Sequence, residues 1–383
     1  MCLLGLYTGI NSEGKGLAAV IAALGLMSGT SMDGVDAAIV ETDGADVIRF
    51  GATDALAYPA EMQALLRAAR GWDPCPEAEA AILEWHGPRL RARIPDVPDL
   101  IGFHGQTLAH DPAAGRTRQI GDGAELAAFW QAPVIWDFRS ADMAAGGEGA
   151  PLAPFFHFHA LRARGLSGRV AVVNIGGVGN VTWADLDQTR AEDTGALLAF
   201  DTGPGNAPLD DLIRARGAGM MDLDGAVSGA GHANGAIVKK ALGHGYFQRP
   251  APKSLDRDAF ADLAAAVADL STADAAATLA EITAASIAAA QRHFPAPVAH
   301  WLITGGGRHN PTLMARLASC LPAPVAPIEA IGLDGDMLEA QAFAWLAVRA
   351  FRGLPLSAPG TTGVATPVTG GRLSRPRAIQ TRI

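Results

Sequence analysis

Cysteine is scarce in this 383-residue chain: Cys2, Cys75 and Cys320 are odd in number, widely spaced and without a Cys-x-x-Cys pair. Neither a disulfide framework nor a thiolate metal site is expected from them, and a reducing compartment suits them. Long hydrophobic runs are also missing, because the apolar stretch Leu17 to Met27 is too short to span a bilayer. Lys15 before that stretch imitates the start of an export signal, but no clean small-x-small cleavage site intervenes before Gly29. Positive charge is in deficit, with 30 Lys and Arg against 39 Asp and Glu and a net charge of -9. That disfavours a sequence-independent grip on nucleic acid or an acidic membrane, while leaving room for a local basic pocket. With 49% hydrophobic and 18% charged residues, the expectation is a compact cytoplasmic enzyme acting on small molecules.

Glycine is plentiful, 45 residues in all, and its placement is informative. Gly25 to Asp36 reads Gly-Leu-Met-Ser-Gly-Thr-Ser-Met-Asp-Gly-Val-Asp, an apolar run entering a turn whose backbone N–H groups could face an anion. A Walker loop would need a lysine and a following helix, and this turn has neither. Gly-x-Gly-x-x-Gly is absent from it too. Instead Val35, Ala37 and Ile39 alternate with Asp36, Ala38 and Val40 before a turn at Asp43-Gly44, so the pattern is strand, turn, strand, then back again.

Helical patterns follow over Pro59 to Arg70 and Pro76 to Arg93. Asp99 to Phe103 reads as a short buried strand delivering His104-Gly105-Gln106-Thr107 at its end. Gly121 to Gln131 reads as a helix, and Pro133 to Trp136 as a strand delivering Asp137-Phe138-Arg139. The glycine-rich segment Ala144 to Gly149 is the expected boundary of a second lobe. There the opening device recurs: a β-rich run ends in Asn174-Ile175-Gly176-Gly177 and Val181-Thr182-Trp183 returns. Phe200-Asp201-Thr202-Gly203-Pro204-Gly205-Asn206 then sets an acid at the end of an apolar run, where it could serve as general base or simply cap a turn. Two helices are expected within Asp258 to Phe294, the second capped at Ser271. Val298 to Thr304 is expected to run into Gly305-Gly306-Gly307, with Asn310-Pro311 opening a helix. Gly335 to Phe351 reads as a helix interrupted by Glu339 and Gln341, and the Gly, Pro, Thr and Ser-rich tail is expected to wrap over the first lobe. His157 and His159 lack a third ligand and are read as ordinary histidines.

Taken in order, these segments resemble the anhydro-N-acetylmuramic acid kinase family, from Gly25 nearly to the end. Beyond those already quoted, the likeness rests on Gln-Ile-Gly-Asp-Gly from Gln119, Gly-Ala-Pro-Leu-Ala-Pro from Gly149, Pro-Lys-Ser from Pro252, Thr-Gly-Gly-Gly-Arg-His-Asn from Thr304 and the nine residues from Glu339 to Ala347. The resemblance implies an α/β, two-lobed actin-like ATPase (ribonuclease-H-like) fold, with mixed sheets flanked by helices and an active-site cleft between lobes. The implied lobes are 23–140 with 345–383, and 141–344 carrying the sugar and adenosine sites, after an N-terminal extension over 1–22. The implied reaction of cell-wall recycling consumes ATP with magnesium. Water opens the 1,6-anhydro ring of 1,6-anhydro-N-acetylmuramic acid, and O6 receives the γ-phosphoryl group.

In that scheme Asp201 is the base and Glu339 helps to hold the water. Gly29, Thr30, Ser31, Met32, Asp33, Gly34, Val35 and Asp36 would surround the phosphates, with Asp33 reaching magnesium through water. Asn174, Gly176 and Gly177 would form the opposing cradle, and Gly305, Gly306 and Gly307 would face the adenosine. His104, Gln106, Arg139 and Asn206 would contact the sugar, Arg139 by way of its lactyl carboxylate or a phosphate. A homodimer is implied as well. Gly179 stands where the resemblance has alanine, a change expected to leave the turn intact. An ordinary hydroxyl-directed sugar kinase and an actin-like ATPase switch without sugar chemistry are the alternatives.

Overall fold

A computed structural model describes residues 19–94, 96–255 and 257–376. The bulk of the expected extension at 1–22 and the last residues of the tail lie outside them. The chain divides into two compact units: one runs to Ala163 and takes in Glu339–Ala358 and the residues from Val364 on, the other spans Arg164–Leu338 and Pro359–Gly363.

In the first unit β1 (Ile21–Ser28), β2 (Gly34–Thr42) and β3 (Ile48–Ala57) form an antiparallel meander. β4 (Leu100–Asp111) lies parallel to β1 on its other side, β5 (Arg116–Ile120) folds back on β4, and β6 (Val134–Trp136) runs parallel to β4. The second unit repeats the plan. β7 (Arg169–Ile175), β8 (Val178–Asp185) and β9 (Leu197–Pro204) form the meander, with β10 (His300–Thr304) parallel to β7 and β11 (Val325–Pro327) parallel to β10. β12 (Arg372–Ser374) pairs antiparallel with β6, so the tail returns to the first unit as expected. Leaving aside β5 and β12, both sheets have the spatial order third, second, first, fourth, fifth. This is the mixed, duplicated α/β architecture that the two strand-turn-strand motifs implied.

The central strand β1 is buried on both faces from Ala23 to Ser28, which the continuous apolar run dictates. The Leu338–Phe351 helix lies flat on it because two strand residues have no side chain. A Cβ on Gly25 would sit 1.8 Å from the Ala340 carbonyl oxygen, and one on Gly102 of β4 would sit 2.1 Å from that of Phe343. Gly25 therefore seats a helix. In the second unit the Thr272–Ala290 helix contributes Ala284 and Ile287 to a core with Trp183, Phe200, Trp301 and Leu313, and Leu279 and Ile282 to another with Leu209, Ile213 and Phe247. With the turn that follows it, Thr272–His293 is long and apolar enough to cross a membrane by composition, yet 67% of its apolar 18-residue stretch is buried within the protein. Its first turn is capped by Ser271 Oγ, which accepts from the Asp274 amide at 3.1 Å, as the sequence indicated.

Three expectations needed correction. β4 extends to Asp111, so His104 and Gln106 lie within a strand; Gly105, at φ +74°, marks an irregularity rather than the end. The second helical pattern stops at Glu84 and continues as a wide turn over Trp85–Arg89, because Pro88 cannot donate to the helical ladder. Residues 141–163 belong to the first unit: Gly149 N donates to Asp142 Oδ2 at 2.7 Å, and His159 Nδ1 lies 3.2 Å from Asp46 Oδ1. His157 and His159 both point into the protein on the Ala153–Ala163 helix.

Burial pulls His86 and His157 down to about 4 and His104 to about 3. The unfolded chain protonates these rings near 6.5, so between pH 6.5 and about 4 it binds more protons than the native state. Stability is therefore expected to fall as pH falls through that window, by up to about 1.4 kcal/mol per pH unit for each such ring. Urea unfolding at stepped pH checks this; a midpoint unchanged from pH 6.5 to 4.5 would refute it.

Candidate active site

Between β1 and β2 the turn is held from beneath. Gln106, fully buried, accepts from Ser28 Oγ at 2.6 Å and donates to the Gly29 carbonyl at 3.0 Å and the Thr107 carbonyl at 3.2 Å. Tyr58 Oη donates to Ser28 Oγ at 3.1 Å. Met32 adopts φ +58° with its side chain in the core, and its amide donates to Gly29 O at 3.1 Å. Such a backbone conformation in a buried non-glycine residue is costly and characteristic of functional turns. Val35 is likewise a core residue. Thr30, Ser31 and Asp33 are left facing solvent, with Ser31 Oγ donating to Asp33 Oδ1 at 2.8 Å, and Asp36 is half-buried in β2. Gln106, Met32 and Val35 thus shape the turn from within instead of presenting side chains to a ligand.

The motif glycines divide by what a side chain would strike. On Gly34 a Cβ would lie 2.9 Å from Leu56 O, so close packing with β3 requires glycine there. Gly29 differs: its nearest neighbour would be Ser31 Oγ at 3.5 Å, an ordinary contact. In the second unit Gly305 and Gly307 are packed, their Cβ positions falling 2.1 Å from Asn174 Oδ1 and 2.5 Å from Ile175 Cγ2. Gly176 and Gly306 are open, with nothing nearer than 3.7 Å and 3.8 Å. Internal packing does not demand glycine at 29, 176 or 306, whereas close approach of a ligand to the backbone would.

The second hairpin turn is fixed by the helix that follows β9. Asn206 N donates to Gly176 O at 2.7 Å, Gly205 N to Gly177 O at 3.0 Å, and Asn206 Nδ2 to Ile175 O at 3.2 Å. Asn174, Asn206 and Gly305–Gly307 therefore form one cluster. Arg308, almost wholly buried, braces it: Nη1 donates to Gly305 O at 3.0 Å, Nε to Glu329 at 2.8 Å and Nη2 to Asp336 at 2.9 Å. A short 3₁₀ turn, Gly306–His309, separates the glycines from the helix that Asn310 and Pro311 open. Arg308 went unassigned from sequence, though it stands in a quoted motif. Arg308→Met is expected to lower stability by about 2 kcal/mol in urea unfolding, since it strands a carbonyl and two ion-pair partners.

In the first unit His104, Arg139 and Glu339 belong to one electrostatic group. Arg139 Nη2 is 2.9 Å from His104 Nε2, and because arginine can only donate, that nitrogen accepts. His104 Nδ1–H then donates to Gly105 O at 2.8 Å, fixing a neutral tautomer. Burial brings Arg139 down to about 10, with Glu339 opposing the change, and Arg139 Nε is buried without a hydrogen-bond partner. Glu339, at the start of its helix, is raised by the protein packed around its carboxyl, and the Arg139 charge pulls it the other way.

Asp201 sits where β9 changes register. It faces Asn180 of β8, while Gly203 faces Gly179, leaving Thr202 as an extra residue. The hairpin through Gly179 is formed, as expected, and a Cβ on it would lie 2.7 Å from the buried Thr202 Oγ1, so alanine there would require that side chain to shift. Asp201 Oδ2 accepts from Leu255 N at 2.7 Å. Two residues that sequence reasoning left aside approach its main chain, Tyr246 and Lys253. Burial, with Arg249 and Arg292 nearby, brings the Lys253 ammonium down to about 8.

Two sheets of the same order, each with a glycine turn between its first two strands, give the chain a duplicated, actin-like fold. The model of one kinase family, anhydro-N-acetylmuramic acid kinase, matches residues 21–84 and 89–375. Proteins of that name from Cereibacter sphaeroides and Jannaschia sp. are 55% and 52% identical, covering 93% of this chain each and 97% and 96% of their own length. The chain belongs to the anhydro-N-acetylmuramic acid kinase family. Among solved structures, a ROK family glucokinase from Streptomyces griseus aligns over 85% of this chain and 99% of its own, at TM-score 0.44 and 14% identity, a likeness that says nothing of the reaction.

Proposed function

We propose that this chain opens 1,6-anhydro-N-acetylmuramic acid with water and phosphorylates the released O6 from ATP, yielding N-acetylmuramic acid 6-phosphate and ADP. Asp201 removes a proton from the water as its oxygen bonds to the anomeric carbon. The C1–O6 bond breaks, and O6 takes the γ-phosphoryl group as the bond to ADP breaks. What carries this reading is Asp201 itself, a carboxylate set in a strand bulge with one oxygen held by the Leu255 amide. General-base help of this kind is worth about 10² to 10⁴ in rate.

Gly29, Thr30, Ser31 and Asp33 meet the phosphates at the first turn, and Asn174 and Gly176 at the second. Gly306 lets the nucleotide approach the backbone of its turn, while Gly305 and Gly307 hold that turn's shape. Among the described residues no three His, Cys, Asp or Glu side chains form a metal cage. Magnesium carried on nucleotide phosphates needs only one or two carboxylates, and exposed Asp33 beside Ser31 Oγ has the donors to meet it through water. Bound there, the ion would neutralise phosphate charge. Arg139 takes the lactyl carboxylate, with His104 holding the guanidinium, and Glu339 steadies the attacking water. Asn206 and Gln106 position the two turns. A cytoplasmic homodimer without nucleic-acid or membrane partners completes the proposal.

Purified protein with MgATP is expected to convert the anhydrosugar to the 6-phosphosugar and to leave free N-acetylmuramic acid essentially untouched, as read by mass spectrometry. Faster phosphorylation of the free sugar would point to an ordinary hydroxyl-directed kinase. ATP hydrolysis indifferent to both sugars would point to a switch.

A further inference from the structure

We infer that Tyr246 and Lys253 are positioning residues for Asp201, gripping its main chain so that its carboxylate keeps one aim. The inference rests on the proposed role of Asp201 as base. β9 is an edge strand, so on its outer side no further strand among the described residues receives its backbone groups. At Asp201 a folded segment does so instead: its amide donates to Lys253 O at 2.9 Å, and its carbonyl accepts from Tyr246 Oη at 2.5 Å. Leu255, two residues past Lys253, holds the carboxylate itself.

The grip closes on itself. Lys253 Nζ donates to the Tyr246 carbonyl at 3.1 Å, lies 4.5 Å from the centre of the Tyr246 ring and 5.8 Å from that of Phe200, and is 3.3 Å from His293 Nε2. It is 4% exposed. A buried ammonium is an expensive way to fill space, because an apolar side chain of similar size would do so at lower cost. Its geometry suggests what it is kept for. By tying Tyr246 to the Lys253 backbone, it fixes both groups that hold Asp201 in a bulge, a feature that by itself leaves a strand locally unpaired. A base misplaced by an ångström loses rate steeply.

Tyr246→Phe removes the Oη donor and keeps the ring, and Lys253→Met removes the charge while keeping length. Each is expected to lower kcat about tenfold, with KM for ATP changed by less than about twofold. Lys253→Arg, which keeps a buried cation, is expected to recover most of the loss. Because Tyr246 acts through Asp201, the double variant Asp201→Asn/Tyr246→Phe should be no slower than Asp201→Asn alone. Thermal midpoints identify any variant that fails to fold. A well-folded Tyr246→Phe enzyme with unchanged kcat, or a double variant slower by the full single-variant factor, would overturn the inference. Near-normal turnover of Asp201→Asn would instead remove the base assignment beneath it, so the two failures are distinguishable.

Discussion

Asp201→Asn is expected to lower kcat by about 10³ while leaving ATP-analogue affinity within about twofold. The amide has nearly the same shape and its oxygen can still accept from the Leu255 amide, so the bulge and the contacts with residues 246–255 should persist. What is lost is the capacity to take a proton from water. Nucleotide affinity is expected to hold because the proposed phosphate contacts come from the turns at Gly29–Asp33 and Asn174–Gly177. Single-turnover kinetics with calorimetric titration of a non-hydrolysable ATP analogue measure both quantities. A parallel loss of binding and turnover would mean that Asp201 shapes the nucleotide site instead.

The second large effect concerns Gly25. A methyl group there would lie 1.8 Å from Ala340 O and 2.5 Å from Ala344 N, both backbone atoms that no rotamer change can move aside. Gly25→Ala must lift the Leu338–Phe351 helix from β1, at a cost of about 3 kcal/mol or more. Because Glu339 precedes Ala340, turnover should fall as well. Gly29→Ala supplies the contrast: its added carbon meets only Ser31 Oγ at 3.5 Å, so stability should change by less than about 0.5 kcal/mol while KM for ATP rises. Urea unfolding with steady-state kinetics distinguishes the two glycines. Equal destabilisation by both substitutions would contradict their different roles.

These glycines also show what could and could not be read in advance. Alternation of apolar residues after Gly34 and after Gly177 made both hairpins legible, because a two-residue period is a local property of the chain. The caps at Ser271 and Asn310 were legible for the same reason. Asp201 stood out as an acid closing an apolar run. A local pattern cannot say which distant segment presses on a residue: Gly25 and Gly29 look alike in sequence, yet one meets a helix over three hundred residues away and the other meets open space. Gln106 read as a sugar contact for lack of any sign that Ser28 and Gly29 would consume its amide. Lys253 and Arg308 were visible inside motifs, but their partners, Tyr246 and Glu329, lie outside them. β4 read as ending at Phe103 because the apolar run stops there, and pairing with β5 is what carries the strand onward.

The most direct test of the proposed chemistry is a single turnover of 1,6-anhydro-N-acetylmuramic acid and MgATP in oxygen-18 water, with the product fragmented by mass spectrometry. Attack by water on the anomeric carbon is expected to leave one heavy oxygen at C1 and none in the 6-phosphate. Heavy oxygen in phosphate, or a phosphorylated sugar whose anhydro ring is intact, would contradict it.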